Sequence, residues 1–263
     1  MLRADAKLLR SVGAAPMTAM TKIGRGRGMG FGRAGSEMEK RMKSDKEKWL
    51  FAPGCALMLY KPHLAEKLFG TLNDNLGAIG RLLTCCRNQP PLEPGTVVIN
   101  VCPGCDRRYR QNYEDSSTTS LWEILAASDF FPFPDYRGQA MTIIDACPTR
   151  DQPRVNEAVR ALLKRMNITL EEPRNTRTHS ICCGDSFYGE TSTDRVKKQM
   201  VKRASQMPVE DVAVYCVSCA KSVFIGGKTP RYMIDLLFGE KTLPGTLDPD
   251  QWHKELDDFI SRH

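Results

Sequence analysis

The sequence predicts an α/β protein made of two repeated units with largely parallel sheets. Three observations predict it. Strand-like and helix-like stretches alternate along the chain. The ten cysteines fall into two sets of five with the same internal order. In each set a strand feeds the last two cysteines, and in the first set a helix is expected to start there.

The order within a set is one cysteine, then an adjacent pair, then Cys-x-x-Cys. In the first set 29 residues separate Cys55 from Cys85-Cys86, and 15 residues separate that pair from Cys102-Pro-Gly-Cys105. In the second set 34 residues separate Cys147 from Cys182-Cys183, and 32 more lead to Cys216-Val-Ser-Cys219. The two sets use all ten cysteines. A repeat of this kind outranks any local motif.

Residues 1–45 form a basic tail expected to be disordered. Residues 1–48 hold 12 Lys or Arg against 5 Asp or Glu, which is the whole charge excess of the chain. The tail contains Gly24-Arg-Gly-Arg-Gly-Met-Gly-Phe-Gly-Arg33 and little apolar periodicity, so it reads as a solvated segment. A docking arm for an acidic partner subunit is the next reading. Nucleic acid is not the expected partner, because one Arg-Gly tract with a single Phe31 is thin support.

The first unit is expected over residues 46–135. Lys48 to Pro53 reads as a strand leading to Gly54-Cys55. Lys61 to Asn75 carries Leu64, Leu68 and Leu72 at helical spacing. Ile79 to Leu83 is apolar and delivers Cys85-Cys86. Thr96-Val-Val-Ile-Asn100 is a buried strand by its β-branched content. It ends at Cys102-Pro-Gly-Cys105, where a helix starts and its free N–H groups favour thiolates. Ser120 to Ala127 reads as a helix. Phe130 to Gly138, with Pro132 and Pro134, is the linker.

The second unit is expected over residues 136–245. Met141 to Asp145 is a strand. Val155, Ala158, Val159, Leu162, Leu163 and Met166 make an amphipathic stripe. Ile168 to Glu171 reads as a strand and Asp194 to Gln206 as a helix with Val196, Met200 and Ala204. Asp211 to Tyr215 is the strand feeding Cys216. Tyr232 to Phe238 echoes Trp122 to Ala126, so the repeats correspond beyond the cysteines. In residues 246–263, Trp252, Leu256, Phe259 and Ile260 give a final helix an apolar face, expected to pack on the body.

Adjacent cysteines seldom pair with each other, because the geometry is strained. With Gly184 behind Cys182-Cys183, two soft ligands share one turn whose backbone can take a left-handed conformation. No stretch is long and apolar enough for a membrane span. The N-terminus has no apolar core of the secretory kind, so the thiols are expected to serve metal or redox chemistry in a reducing, cytoplasmic compartment. A structural zinc takes four ligands, so zinc in either set leaves a spare thiol. Iron–sulfur clusters are also held by thiolates, and a fifth suits a cluster of unusual nuclearity. Zinc or an ordinary cubane at one of the sites remains the alternative.

Asn175-Thr-Arg-Thr-His-Ser-Ile-Cys-Cys-Gly184, Ile144-Asp-Ala-Cys-Pro148 and Thr229-Pro-Arg-Tyr-Met-Ile-Asp-Leu-Leu-Phe238, with the repeated cysteine order, resemble the cysteine-rich CCG domain in tandem. The resemblance covers roughly residues 48 to 240. It is to the B subunit of heterodisulfide reductase and to the iron–sulfur subunits of glycolate and lactate oxidation systems. It implies two pseudo-symmetric α/β repeats whose halves face each other. It further implies a noncubane [4Fe-4S] cluster on Cys55, Cys85, Cys86, Cys102 and Cys105, and another on Cys147, Cys182, Cys183, Cys216 and Cys219. The expected function is the redox subunit of a disulfide-reductase-like complex acting on a disulfide or thiol substrate, with Cys182 and Cys183 at the catalytic position. Electron transfer for a 2-hydroxy-acid dehydrogenase or quinone-linked system is the alternative, and a zinc-stabilised interaction module the third reading. The chain shows neither a ferredoxin cysteine run nor a flavin, nicotinamide or nucleotide motif. Electrons are therefore expected from a flavin or ferredoxin-type partner subunit.

The first repeat departs from the pattern. Arg87 stands where Gly184 follows the second pair, and its short spacer leaves no room for a crossover helix. His179 either serves a cluster sulfur or is a loop histidine without a role, the preferred reading. Arg87, Arg107, Arg108 and Arg150 lie near cysteine motifs. They read as ordinary surface charge, with attraction of an anionic substrate as the alternative.

Overall fold

Eight parallel strands in two sheets organise the chain, of which the computed structural model describes residues 48–263. The expectations for the basic tail lie outside the described residues. In the first sheet, β1 (Lys48–Ala52) is flanked by β2 (Gly80–Arg81) and β3 (Thr96–Asn100), and β4 (Ser117–Ser120) completes the order β2-β1-β3-β4. The second sheet has the order β6-β5-β7-β8, built from β5 (Ala140–Ile144), β6 (Thr169–Leu170), β7 (Asp211–Val214) and β8 (Thr229–Tyr232). Every pairing is parallel. The two units therefore share one topology. Central strands of such sheets are covered on both faces, and Thr96 to Asn100 is buried at every position.

The helices follow the same repeat. In the first unit α1 (Cys55–Tyr60) and α2 (Pro62–Leu76) follow β1, α3 (Pro103–Asn112) follows β3, and α4 (Leu121–Ala127) follows β4. In the second unit a 3₁₀ turn, Cys147–Thr149, and α5 (Pro153–Arg165) follow β5. There α6 (Thr193–Ala204) precedes β7, α7 (Val217–Ile225) follows it, and α8 (Met233–Leu237) follows β8. The final helix is α9 (Pro249–Ile260). Helices α2, α3, α5 and α9 open on proline, whose missing N–H costs nothing in a first turn. A capping box, Ser120 with Glu123, starts α4.

The predicted apolar stripes are the buried faces: Leu64, Leu68 and Leu72 on α2, Val155 to Leu163 on α5, and Val196, Met200 and Ala204 on α6. The strand expected over Ile168 to Glu171 shrinks to two paired residues. Short elements not anticipated are α1, β4 and β8. β4 and β8 are edge strands, where the polar run Ser-Thr-Thr-Ser and Pro230 are both tolerated.

The units pack against each other through helices on both sides of their boundary. Helix α4 of the first packs on α5 of the second. In return Asp235 on α8 accepts from Tyr60 Oη and from Lys61 Nζ, each at 2.7 Å, where α1 meets α2. The edge contacts of Trp122 with Tyr215 and of Tyr60 with Tyr232 repeat this reciprocity. This two-fold-like packing turns the cysteine-bearing ends of both sheets toward each other.

One difference breaks the repeat. Helix α6 lies between the cysteine pair and β7 in the second unit, and between the pair and β3 the first unit has only a 3₁₀ turn, Cys86–Asn88. Gly184, at φ +117°, sits directly under α6, and a Cβ there would lie 2.7 Å from Met200 Cγ. The first unit has no counterpart of α6 over the equivalent loop, where Arg87 stands. Loss of the glycine and loss of the spacer are one structural change. The C-terminal residues back that loop instead. Arg87 pairs with Asp257 at 2.8 Å, Asn88 donates to the Ile260 carbonyl, and the Cys85 N–H donates to the His263 carbonyl.

Candidate metal centre

The loops after β1, β3, β5 and β7 converge on one cavity of about 490 Å³, and all ten cysteines line it. A crevice at the carboxyl ends of parallel strands is the usual site in such sheets. Each set is assembled the same way. The single cysteine follows the first strand of its unit, and Cys-x-x-Cys spans the start of the helix after the third. Gly54, at φ +81°, makes this approach close, since a Cβ there would lie 3.2 Å from Cys102 Cβ.

All ten thiols are free, and none is fully exposed. They meet in corresponding pairs. Cys86 Sγ lies 3.5 Å from Cys105 Sγ, and Cys183 Sγ lies 3.4 Å from Cys219 Sγ. Cys85 Sγ is 3.7 Å from Cys55 Sγ. The first thiol of each adjacent pair accepts the backbone N–H two residues on, Arg87 to Cys85 and Gly184 to Cys182. Cys182 also meets Ser186 Oγ at 2.8 Å.

Such crowding forces the thiols to share protons. The contact from Cys55 and then that from Cys86 hold Cys85 at about 2, while Cys55 is pushed up by the same contact and by burial. Cys105 lowers Cys86, but Cys85 and burial outweigh it and leave Cys86 at about 12. The second set repeats this. Cys182 is pulled down, first by Cys147 and then by Cys183, and Cys147 and Cys183 are pushed up by their contacts with it. Five neighbouring thiolates need positive charge among them to ionise together, which metal ions supply. Thiols grouped in this way fit an iron–sulfur cluster, whose several irons each take their own ligands.

Behind Cys147 lies a buried polar network. Asp145 accepts from both terminal nitrogens of Arg160, from Thr176 Oγ1 and from the Arg177 N–H. These bonds outweigh burial and hold its carboxyl below the usual range. Tyr215 Oη meets Thr149 Oγ1 at 2.8 Å, so the network reaches the 3₁₀ turn that carries Cys147. Arg203 is buried on α6, donating to the Asn175 carbonyl. His253 meets Asp185 at 3.1 Å and stacks on Tyr188, joining α9 to the Cys182–Cys183 loop. Asp145 was visible within Ile144-Asp-Ala-Cys-Pro. Arg160, Arg203 and His253 carried no local signal.

His179 is exposed and does not line the cavity. Arg87, Arg107, Arg108 and Arg150 are exposed, as surface charge would be, and all four also line the cavity. Sequence distance from a cysteine gave their neighbourhood but not the side on which they emerge.

Two parallel α/β units presenting paired thiols to one cavity define a thiol-rich protein suited to binding iron–sulfur clusters. Residues 141–223 match the model of the CCG family, described as a cysteine-rich domain, and the chain carries that domain there. The matched span holds the whole second set, and the first set lies outside it. No curated protein matches the chain. Among the described residues no helix is long and apolar enough to cross a membrane.

Proposed function

We propose that this chain is the redox subunit of a heterodisulfide-reductase-like complex acting on a small disulfide or its thiols. The observation that supports this reading is that both five-thiol sets line one cavity of small-molecule size. In this reading residues 46–135 and 136–245 are two repeats and 246–263 a closing helix. Cys55, Cys85, Cys86, Cys102 and Cys105 would hold one cluster, and Cys147, Cys182, Cys183, Cys216 and Cys219 the other, each a noncubane [4Fe-4S] form. When bound, such clusters supply single electrons and iron sites for sulfur.

The chain's own residues shape the site for that use. Leu256 and Ile260 close one side of the cavity with apolar surface. Ser186 and the Gly184 N–H hold Cys182 in place, and Arg160 with Tyr215 fixes the loop of Cys147. Electrons come from a flavin or ferredoxin-type partner, in a reducing compartment.

The test is reoxidation of the dithionite-reduced holoprotein by a model disulfide, followed by optical and paramagnetic resonance spectra. The second set keeps Gly184 and α6, so Cys183→Ser should abolish reoxidation and Cys86→Ser should damage it less. Equal loss would point to equivalent sets. No reoxidation of the wild type by any disulfide would leave electron transfer for a 2-hydroxy-acid dehydrogenase as the better reading.

A further inference from the structure

The four cavity arginines are not equally committed. Arg87 is neutralised by Asp257, and Arg150 Nε donates to the Ser180 carbonyl at 2.6 Å. Arg107 and Arg108, on the first turns of α3 beside Cys105, are exposed and have no carboxylate or carbonyl partner among the described residues. Their repeat counterparts in the second unit are Lys221 and Ser222, two and three residues after Cys219. Lys221 is buried, donates to the Pro244 carbonyl, and lies 4.2 Å from the centre of the Trp252 ring. Ser222 is buried and bonded to the Ser218 carbonyl. The C-terminal segment thus occupies the cation at the position equivalent to Arg107, and Arg150 is engaged by Ser180, so among the described residues Arg107 and Arg108 are the cavity arginines without a carboxylate or carbonyl partner.

We infer that Arg107 and Arg108 bind an oxyanion of the substrate, carboxylate or phosphate, against the first unit's wall of the cavity. This rests on the reading that the cavity takes a disulfide, and it names the class: a disulfide or thiol with an anionic end. Guanidinium groups suit both oxyanions, because their fork of donors matches two oxygens at once. The anionic end then lies at the first thiol set, and the substrate is oriented along the cavity. Two exposed ion pairs, each giving up to a factor of about five, should favour an anionic disulfide by about tenfold and at most about twenty-five-fold.

The experiment is calorimetric binding to the anaerobic holoprotein. The ligands are neutral hydroxyethyl disulfide, its bis-phosphate ester, dithiodipropionate, and cationic cystamine. At least one anionic disulfide should bind about tenfold tighter than the neutral one, and cystamine weakest. The stronger of the two anions identifies the oxyanion. The double variant Arg107→Gln, Arg108→Gln should bring the anionic disulfide down to the neutral affinity. Arg174→Gln, an exposed charge outside the cavity, should preserve the preference. Equal binding of neutral and anionic disulfides, or a preference that survives the double variant, overturns the inference. Reoxidation kinetics separate the two readings. Anion preference without turnover of any disulfide sinks the disulfide reading and leaves the anion wall standing. Turnover without anion preference does the reverse.

Discussion

Replacing Gly184 by Ala should destabilise the second unit, and replacing Arg87 by Ala should do little, although both follow a Cys-Cys pair. Gly184 has φ +117°, in the region L side chains avoid at a cost of about 1–2 kcal/mol. Its new Cβ would stand 2.7 Å from Met200 Cγ and 3.0 Å from the Met200 backbone nitrogen. The side chain can move but the helix backbone cannot move cheaply, and overpacking of this kind costs about 1–3 kcal/mol. Together these give about 2–5 kcal/mol, which lowers Tm by about 4–20 °C if both units unfold together as a body of about 200 residues. Arg87→Ala removes one exposed ion pair with Asp257, worth about 1 kcal/mol or less. The assay is anaerobic thermal unfolding of wild type and both variants at one metal loading. A Gly184→Ala protein melting within about 1 °C of wild type, or an Arg87→Ala protein equally damaged, would refute the argument that α6 makes the glycine necessary.

Three further outcomes are expected. Tyr215→Phe removes a buried hydroxyl shared by Thr149, Asp145 and Asn156, so it should cost about 1–3 kcal/mol and speed release of metal from the second set to a chelator; an unchanged release rate would remove Tyr215 from the support of Cys147. Trp252→Ala should cost about 3–5 kcal/mol, since the ring is buried on Lys221 and Ser218, and a neutral result in chemical denaturation would show that α9 is not part of the core. Burial raises the Glu240 carboxyl, but His63, Lys61 and Lys67 together outweigh it and hold the carboxyl at about 2. A folded pKa below the unfolded one contributes stability above the unfolded value of about 4.3 and loses it as pH falls toward 2. Glu240→Gln should therefore melt lower than wild type at pH 7, with the gap narrowing steadily from pH 5 to pH 3; a gap independent of pH would contradict it.

Much of the architecture is legible because each unit repeats a local rule. Thr96 to Asn100 has the β-branched run and apolar centre, Val97 to Ile99, of a strand covered on both faces, and the stripe from Val155 to Leu163 has helical period. The strands that escape notice are those at sheet edges, where packing does not demand apolar residues. Ser117 to Ser120 has none, and Pro230 argues against a strand except at an edge. The thiol sets are legible from order and repetition alone. Their convergence on one cavity is not, because it depends on α4 packing against α5 and on Tyr60 and Lys61 reaching Asp235, contacts between distant parts of the chain. The side on which Arg107 and Arg108 emerge is hidden for the same reason.

The central claim is that two five-thiol sets hold iron–sulfur clusters on one cavity, and the most direct test is iron, acid-labile sulfide and zinc per chain in protein purified without oxygen. The account predicts brown protein with about eight irons and matching sulfide, little zinc, and loss of about half the iron when the second-set pair is replaced by Cys182→Ser with Cys183→Ser. Colourless protein with zinc at full occupancy and no sulfide would contradict it.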